Sequence, residues 1–119
     1  MPRAVPPADI APAEFFARWL PGVVASDAER RRQLGDTVAI IVFELAGEGG
    51  GVFHVHIDHG DLRGAAGEPL RFDLRVRVDL DSWRALNAGA LSAPRAFLQR
   101  KVHLSGNLML AVKLHLIIG

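Results

Sequence analysis

The chain has 119 residues, of which 50% are hydrophobic and 23% charged, and its 14 basic and 13 acidic residues leave a formal net charge of +1. This composition excludes an intrinsically disordered chain, disfavours a surface built for polyanions, and, without cysteine, excludes disulfides and thiolate metal sites. We expect one domain over residues 12–119, preceded by a loose Pro- and Ala-rich segment over residues 1–11. Neither a membrane span nor a signal peptide is predicted, so we expect a cytoplasmic protein.

Two short helices are predicted at the N-terminal end. The first covers residues 13–20 and ends at Pro21-Gly22. The second begins at Ser26, whose spacing to Glu29 is that of a capping box, in which each side chain binds the other's backbone N–H. The three arginines at 30–32 lie on this helix, and we expect them on its solvated face.

Three strand-like segments follow. Residues 37–46 are apolar on both faces, which predicts a central strand. Residues 52–59 alternate between apolar and polar side chains, and the turn region 60–68 can hold a further short strand. Residues 70–80 alternate strictly, with Arg and Asp on one face. This pattern predicts a strand with one wet face, in an antiparallel sheet that helices cover on one side only.

The last third of the chain returns to helical spacing. Asp81 is expected to cap one helix, and Ser92 begins a second short helix. Residues 101–104 predict a short strand. A final helix is predicted over residues 108–118, with Asn107 as its N-cap. The element order α, β, β, β, α, α, β, α is that of an α+β domain.

The final helix has no polar face. Lys113 and His115 are its two polar residues, and at 3.6 residues per turn their side chains point about 200° apart. A helix that is apolar nearly all round must be covered on every side. The cover can be a lipid in a cavity, a second copy or partner protein, or a membrane surface. The last is disfavoured because helices that lie on membranes carry a basic polar face.

The order of motifs in the second half points to a known family. A tryptophan-bearing helix over 81–89 ends in glycine, and Pro-Arg-Ala-Phe follows at 94–97. Lys101 then begins a strand that leads to the turn Gly106-Asn107, and a leucine-rich helix closes the chain. Over about residues 70–116 this order resembles the end of a sterol-carrier-protein-type (SCP2-like) lipid-transfer domain. Arg100 departs from the pattern, because the family usually has glycine there.

The resemblance implies both a fold and a function. The fold is α+β: a five-stranded, largely antiparallel twisted sheet, covered on one face by helices, with a hydrophobic tunnel between them. The function is non-catalytic binding or transfer of a sterol, fatty acid, acyl-CoA or other apolar ligand, without cofactor or metal. By spacing, we predict that the tunnel is lined by Phe43, Phe72, Trp83, Leu86, Phe97, Leu98, Leu108, Met109, Val112 and Leu116.

Other functions stay open as alternatives. His54-Val55-His56-Ile57-Asp58-His59 has the spacing of a dinuclear metal hydrolase, but the chain is too short for that fold and the alternation indicates a strand. Arg71, Arg75 and Arg77 form a basic strip that two aspartates interrupt, which disfavours nucleic acid. The main alternative is an interaction module whose final helix docks on a partner protein or a second copy. Transient contact with a membrane is compatible with either function.

Overall fold

The sheet is built around β1, Val38–Ala46, in a computed structural model that describes residues 5–118. The other strands are β2 Gly51–Asp58, β3 Asp61–Ala66, β4 Leu74–Asp79 and β5 Val102–Gly106. Their order in the sheet is β3-β2-β1-β4-β5. β1 pairs with β4 in parallel, and the other three pairings are antiparallel. The predicted five-stranded, largely antiparallel sheet is therefore confirmed, with β1 at its centre.

Helices pack on one face of this sheet. Their bounds are α1 Pro12–Glu14, a π-helical turn Phe15–Trp19, α2 Leu20–Ser26, α3 Ala28–Leu34, α4 Leu80–Asn87, α5 Ala93–Leu98 and α6 Met109–Ile118. Alternate side chains of each strand point to this face. In β2, Phe53, Val55 and Ile57 are buried, whereas His56 and Asp58 are exposed. The core thus lies between the helices and the inner face of the sheet.

The first helix does not end at Pro21, as predicted, but continues to Ser26. The π-helical turn explains the difference. The backbone N–H of Leu20 donates to the carbonyl of Phe15, five residues earlier, so the helix is widened immediately before the proline. A proline inside a regular α-helix would lack one hydrogen bond and clash with a carbonyl of the preceding turn. The wider turn lets the chain pass through Pro21 without ending the helix.

Asp27, not Ser26, caps α3. Its carboxylate accepts from the backbone N–H groups of Glu29 and Arg30, at 3.0 and 3.3 Å. The Ser26 hydroxyl instead donates back to the carbonyl of Gly22 in α2. The capping box with Glu29 was therefore wrong, because the first helix continues past Pro21 and Ser26 is the last residue of α2.

The strand predicted over residues 70–80 is shorter at both ends. Asp73 binds the edge of β1: its backbone N–H donates to the Ile40 carbonyl and its side chain accepts from the Ile40 N–H, both at 2.8 Å. Pairing of β4 begins only after this contact. At the other end Asp79 caps α4 by accepting from the Ser82 N–H at 2.9 Å, so Leu80 belongs to the helix and the predicted cap Asp81 was wrong.

The N-terminal segment is described from Val5 onward, and residues 1–4 lie outside the described residues. The Arg84 guanidinium donates to the carbonyls of Ala8 and Ile10, at 3.3 and 3.1 Å. A loose segment over residues 1–11 stays a prediction from the sequence. Between residues 5 and 118, none of the helices has the length and apolarity needed to cross a bilayer.

Candidate ligand cavity

A cavity of about 320 Å³ lies between the inner face of the sheet and the helices α4, α5 and α6. Its volume falls at the lower end of the range that is common for small-molecule sites, about 300–1,000 Å³. Most of its lining is aliphatic or aromatic. The sheet contributes Phe43, Val76, Val78, Val102 and Leu104, and the helices contribute Phe15, Phe16, Trp83, Leu86, Phe97, Ala111 and Leu114.

An aromatic cluster forms one wall of this cavity. The Phe16 ring lies 4.8 Å from Phe43 and stacks on Phe53 at 5.1 Å. Trp83 meets Phe15 edge to face, at 5.1 Å between ring centroids. Such offset and perpendicular contacts stabilise aromatic pairs beyond the effect of burial alone. Because all five rings are buried, this wall is held in place by its own packing.

A glycine in β3 allows the π-helical turn to reach the sheet. A Cβ at Gly64 would lie within 1.9 Å of the backbone carbonyl oxygen of Phe16, which is closer than any real contact. The missing side chain therefore lets the backbone of the turn rest directly on β3. This close approach positions the rings of Phe15 and Phe16 against the cavity.

Three polar residues interrupt this apolar lining. They are Asn87 at the end of α4, Ser92 at the N-cap of α5, and His115 in α6. The Asn87 side-chain nitrogen is buried and has no hydrogen-bond partner among the described residues. An apolar cavity with a few polar groups suits a ligand with a long apolar part and a polar end.

Helix α6 divides into three sectors around its axis. Leu110 and Ile117 form the first sector and are buried against the rest of the domain. The next sector, which contains Ala111, Leu114 and His115, lines the cavity. The third sector carries exposed apolar side chains, those of Leu108, Met109, Val112 and Leu116. The apolar surface of this helix is thus shared between the core, the cavity and solvent.

Two cationic side chains hold α6 against the rest of the domain. Arg30, which is 1% exposed, donates from Nε to the carbonyl of Ile117 at 2.8 Å and pairs with Asp27 at 3.5 Å. Lys113 Nζ donates to the Thr37 hydroxyl at 2.5 Å. The expectation of a solvated Arg30 was wrong: its side chain points into the interface between α3 and α6, while Arg31 and Arg32 are exposed.

Of the ten side chains predicted to line a tunnel, Phe43, Trp83, Leu86 and Phe97 border this cavity. Phe72 lies under the Arg75 guanidinium, 4.7 Å from its ring, on the outer side of the sheet. The remaining five are exposed away from the cavity: Leu98, Leu108, Met109, Val112 and Leu116. For all ten, contact with a ligand stays a prediction. Phe15 and Phe16 also border the cavity but were not among the predicted lining residues.

The histidine-rich segment lies on the outer face and the following turn. His54 Nδ1 is 2.9 Å from the carbonyl oxygen of Gly67, and His59 Nδ1 is 2.5 Å from the Asp58 carboxylate. Within residues 5–118, no group of three or more histidine or acidic side chains is arranged to hold a metal ion.

The basic strip on the same face is partly neutralised. Arg75 pairs with Glu68 at 2.6 Å and with Glu44 at 3.4 Å. The hydrogen bond that Arg75 donates to the Glu68 carboxylate raises the pKa of Arg75 further above its ordinary value. The centre of the outer face is therefore an ion-pair network and not an open cationic surface.

Known proteins resemble this arrangement. A profile of the SCP-2 sterol transfer family matches residues 17–118. Hydroxysteroid dehydrogenase-like protein 2 of Mus musculus is 33% identical over 79 residues, which are 66% of this chain and 16% of that protein. The chain thus spans less than a fifth of the length of the curated relatives it matches.

Solved structures share the fold. Palmitated SCP2L2 from Aedes aegypti superposes with a TM-score of 0.70 at 23% identity, over 88% of this chain and 92% of that one. The sec-alkylsulfatase Pisa1 from Pseudomonas sp. gives a TM-score of 0.70 at 18% identity, over 92% of this chain but 16% of that chain. Because the profile match covers nearly all of the described residues, the chain belongs to the SCP-2 sterol transfer family.

Proposed function

We propose that this chain binds an apolar lipid, such as a fatty acid or a sterol, in the cavity between sheet and helices, and carries it without catalysing a reaction. The observation that supports this most is the aromatic and aliphatic lining of the cavity in a member of a sterol transfer family. The polar residues of the lining, Asn87, Ser92 and His115, would receive the polar end of the lipid. The mosquito relative, solved in a palmitated form, is consistent with a fatty acid.

The affinity of such a site comes from removing alkyl surface from water. Each buried methylene contributes about 0.8 kcal/mol, which is close to a fourfold change in dissociation constant. The buried rings of Phe15, Phe16 and Trp83 offer a preformed surface, so little side-chain ordering opposes binding. We expect affinity to rise with the chain length of a fatty acid until the cavity is filled.

A pair of tryptophan substitutions in neighbouring positions of α6 tests the proposal. Ala111 lines the cavity, whereas Val112 points to solvent. Ala111→Trp should fill part of the cavity and weaken binding of a fluorescent fatty acid by about tenfold or more, because several methylenes lose their place. Val112→Trp should leave the affinity unchanged. Fluorescence titration measures both, and circular dichroism checks that both variants are folded.

Equal affinity of the wild type and a folded Ala111→Trp variant would contradict a ligand in this cavity. So would a larger loss with Val112→Trp, because the ligand would then lie on the outward sector of α6. Native mass spectrometry of protein purified without detergent gives an independent check, since a bound lipid adds its own mass.

A second candidate function, docking of α6 on a partner protein or a second copy, is favoured by the exposed sector with Leu108, Met109, Val112 and Leu116. Analytical ultracentrifugation tests docking on a second copy. Self-association that Val112→Ser abolishes would support it, and a monomer at all concentrations would exclude a second copy as the partner. The absence of catalysis and a cytoplasmic location stay predictions from the sequence.

A further inference from the structure

The end of α5 and the turn after it project both apolar and cationic side chains into solvent. Phe97 and Leu98 are 52% and 79% exposed. Arg95, Arg100 and Lys101 are exposed beside them. We call these five residues the α5 tip. Of the six residues of α5, all within the described part of the chain, only Ala96 is buried. The domain itself therefore leaves most of the Leu98 side chain exposed to solvent.

The backbone at Arg100 is unusual for an arginine. The Lys101 N–H donates to the Ala96 carbonyl at 2.8 Å, and the Arg100 N–H donates to the Phe97 carbonyl at 3.1 Å. These two bonds form a Schellman motif, whose left-handed position is usually glycine. Arg100 occupies that position, with φ of 59°. Unfavourable backbone conformations of this kind persist most often where the side chain has a function.

The cations of the α5 tip form no close ion pair within the described part of the domain. Between residues 5 and 118, no carboxylate lies within ion-pair distance of Arg95, Arg100 or Lys101, in contrast to Arg75 on the outer face of the sheet. Arg100 and Lys101 also line an open cleft of about 600 Å³, together with Arg77 and His103. Among the described residues, Asp79 is the one acidic residue that lines this cleft, and it caps α4.

We propose that the α5 tip docks on an anionic lipid bilayer. Phe97 and Leu98 enter the boundary between headgroups and acyl chains, and Arg95, Arg100 and Lys101 pair with lipid phosphates. Apolar side chains flanked by cations are the combination that binds anionic bilayers, because the bilayer offers both an acyl interior and a layer of phosphates. Phe97 also lines the cavity, so docking brings a cavity wall against the bilayer. The docking itself does not depend on the cavity holding a lipid.

Vesicle flotation tests the proposal with phosphatidylcholine vesicles that contain or lack phosphatidylglycerol. The protein should bind only the anionic vesicles, and less at high salt. Two cations near an anionic surface contribute about fivefold each, so Arg100→Gly combined with Lys101→Ser should weaken binding about 25-fold. Leu98→Ser should weaken it about tenfold through loss of the anchor. Because glycine suits the left-handed position, the double variant should not melt at a lower temperature than the wild type.

Two control variants separate this surface from others. Arg18→Ser combined with Arg63→Ser removes the same charge near β3, at the opposite edge of the sheet, and should leave binding within about twofold of the wild type. Val112→Ser removes an apolar side chain from the exposed sector of α6 and should leave vesicle binding unchanged.

Four results would overturn the proposal. They are no binding to anionic vesicles, equal losses with the two charge-removing pairs, a loss with Val112→Ser but not with Leu98→Ser, and self-association in free solution that Leu98→Ser abolishes. The fatty-acid affinity of the Arg100→Gly, Lys101→Ser double variant without vesicles should equal that of the wild type. Failure of docking can therefore be distinguished from failure of the cavity to bind lipid.

Discussion

Arg30 is among the largest fully buried side chains, and it connects α3 to the end of α6. Consecutive residues of a helix are rotated by about 100°, so three neighbouring arginines cannot all share one face. The sequence run 30–32 therefore contains two surface residues and one interior residue. Which of the three points inward could not be predicted, because it depends on where α6 packs.

Replacing Arg30 should destabilise the domain far more than replacing its neighbour. Arg30→Ala removes the hydrogen bond to the Ile117 carbonyl and leaves a void. The free energy of unfolding should therefore fall by about 2–4 kcal/mol. Arg32, which pairs with Glu29 in solvent, is the control, and Arg32→Ala should cost less than about 1 kcal/mol. Urea unfolding measures both. Equal effects would show that Arg30 does not hold α6.

The π-helical turn is the element that shapes the aromatic wall, and it was not predictable from the sequence. Its widened backbone carries Phe15 and Phe16 toward the sheet and lets α2 pass through Pro21. Sequence periodicity assumes 3.6 residues per turn, so a local change of pitch shifts every later residue around the helix axis. Strand β2, which has no such irregularity, follows its alternating pattern.

Gly64→Ala tests the contact between this turn and β3. The added methyl group would collide with the Phe16 carbonyl, so we expect the free energy of unfolding to fall by about 1–3 kcal/mol and fatty-acid affinity to fall as well. Gly22→Ala is the matched control, because no atom lies within 4 Å of its Cβ position in α2, and it should stabilise by up to about 1 kcal/mol. Normal stability of Gly64→Ala would mean that the turn does not rest on β3.

The N-cap of α4 makes the free energy of unfolding of the domain depend on pH. Hydrogen bonds from the Ser82 side chain and backbone N–H lower the pKa of Asp79 below its ordinary value. The ionised carboxylate therefore stabilises the fold above the unfolded pKa of about 3.9, and this contribution is lost as pH falls through the lower folded pKa. Asp79→Asn keeps a cap that does not titrate.

Urea unfolding between neutral and acidic pH measures this term. The stability of the wild type relative to Asp79→Asn should decrease as the pH falls below about 4. A stability difference between the two proteins that is constant over this range would contradict the role of the carboxylate charge.

In the whole molecule, the sheet separates an apolar cavity on its inner face from an ionic network on its outer face. The α+β architecture followed from period-two strands and from the resemblance of the second half, and both are confirmed. Phe43 and Trp83 border the cavity. In α4 the polar residues indicate which face of the helix is buried, whereas β1 is apolar on both faces. The two polar residues of α6, Lys113 and His115, point in different directions, so its sequence could not tell the cavity sector with Ala111 and Leu114 from the exposed sector with Val112 and Leu116.

The location of a bound lipid can be measured directly by NMR. Intermolecular nuclear Overhauser effects between ¹³C-labelled palmitate and the protein report which side chains lie within a few ångströms of the alkyl chain. We expect contacts from the methylene and methyl protons to the rings of Phe15, Phe16 and Trp83 and to the methyl groups of Leu114. Binding of palmitate with contacts only to Leu108, Val112 or other outward side chains, and none to the aromatic wall, would contradict an internal lipid site.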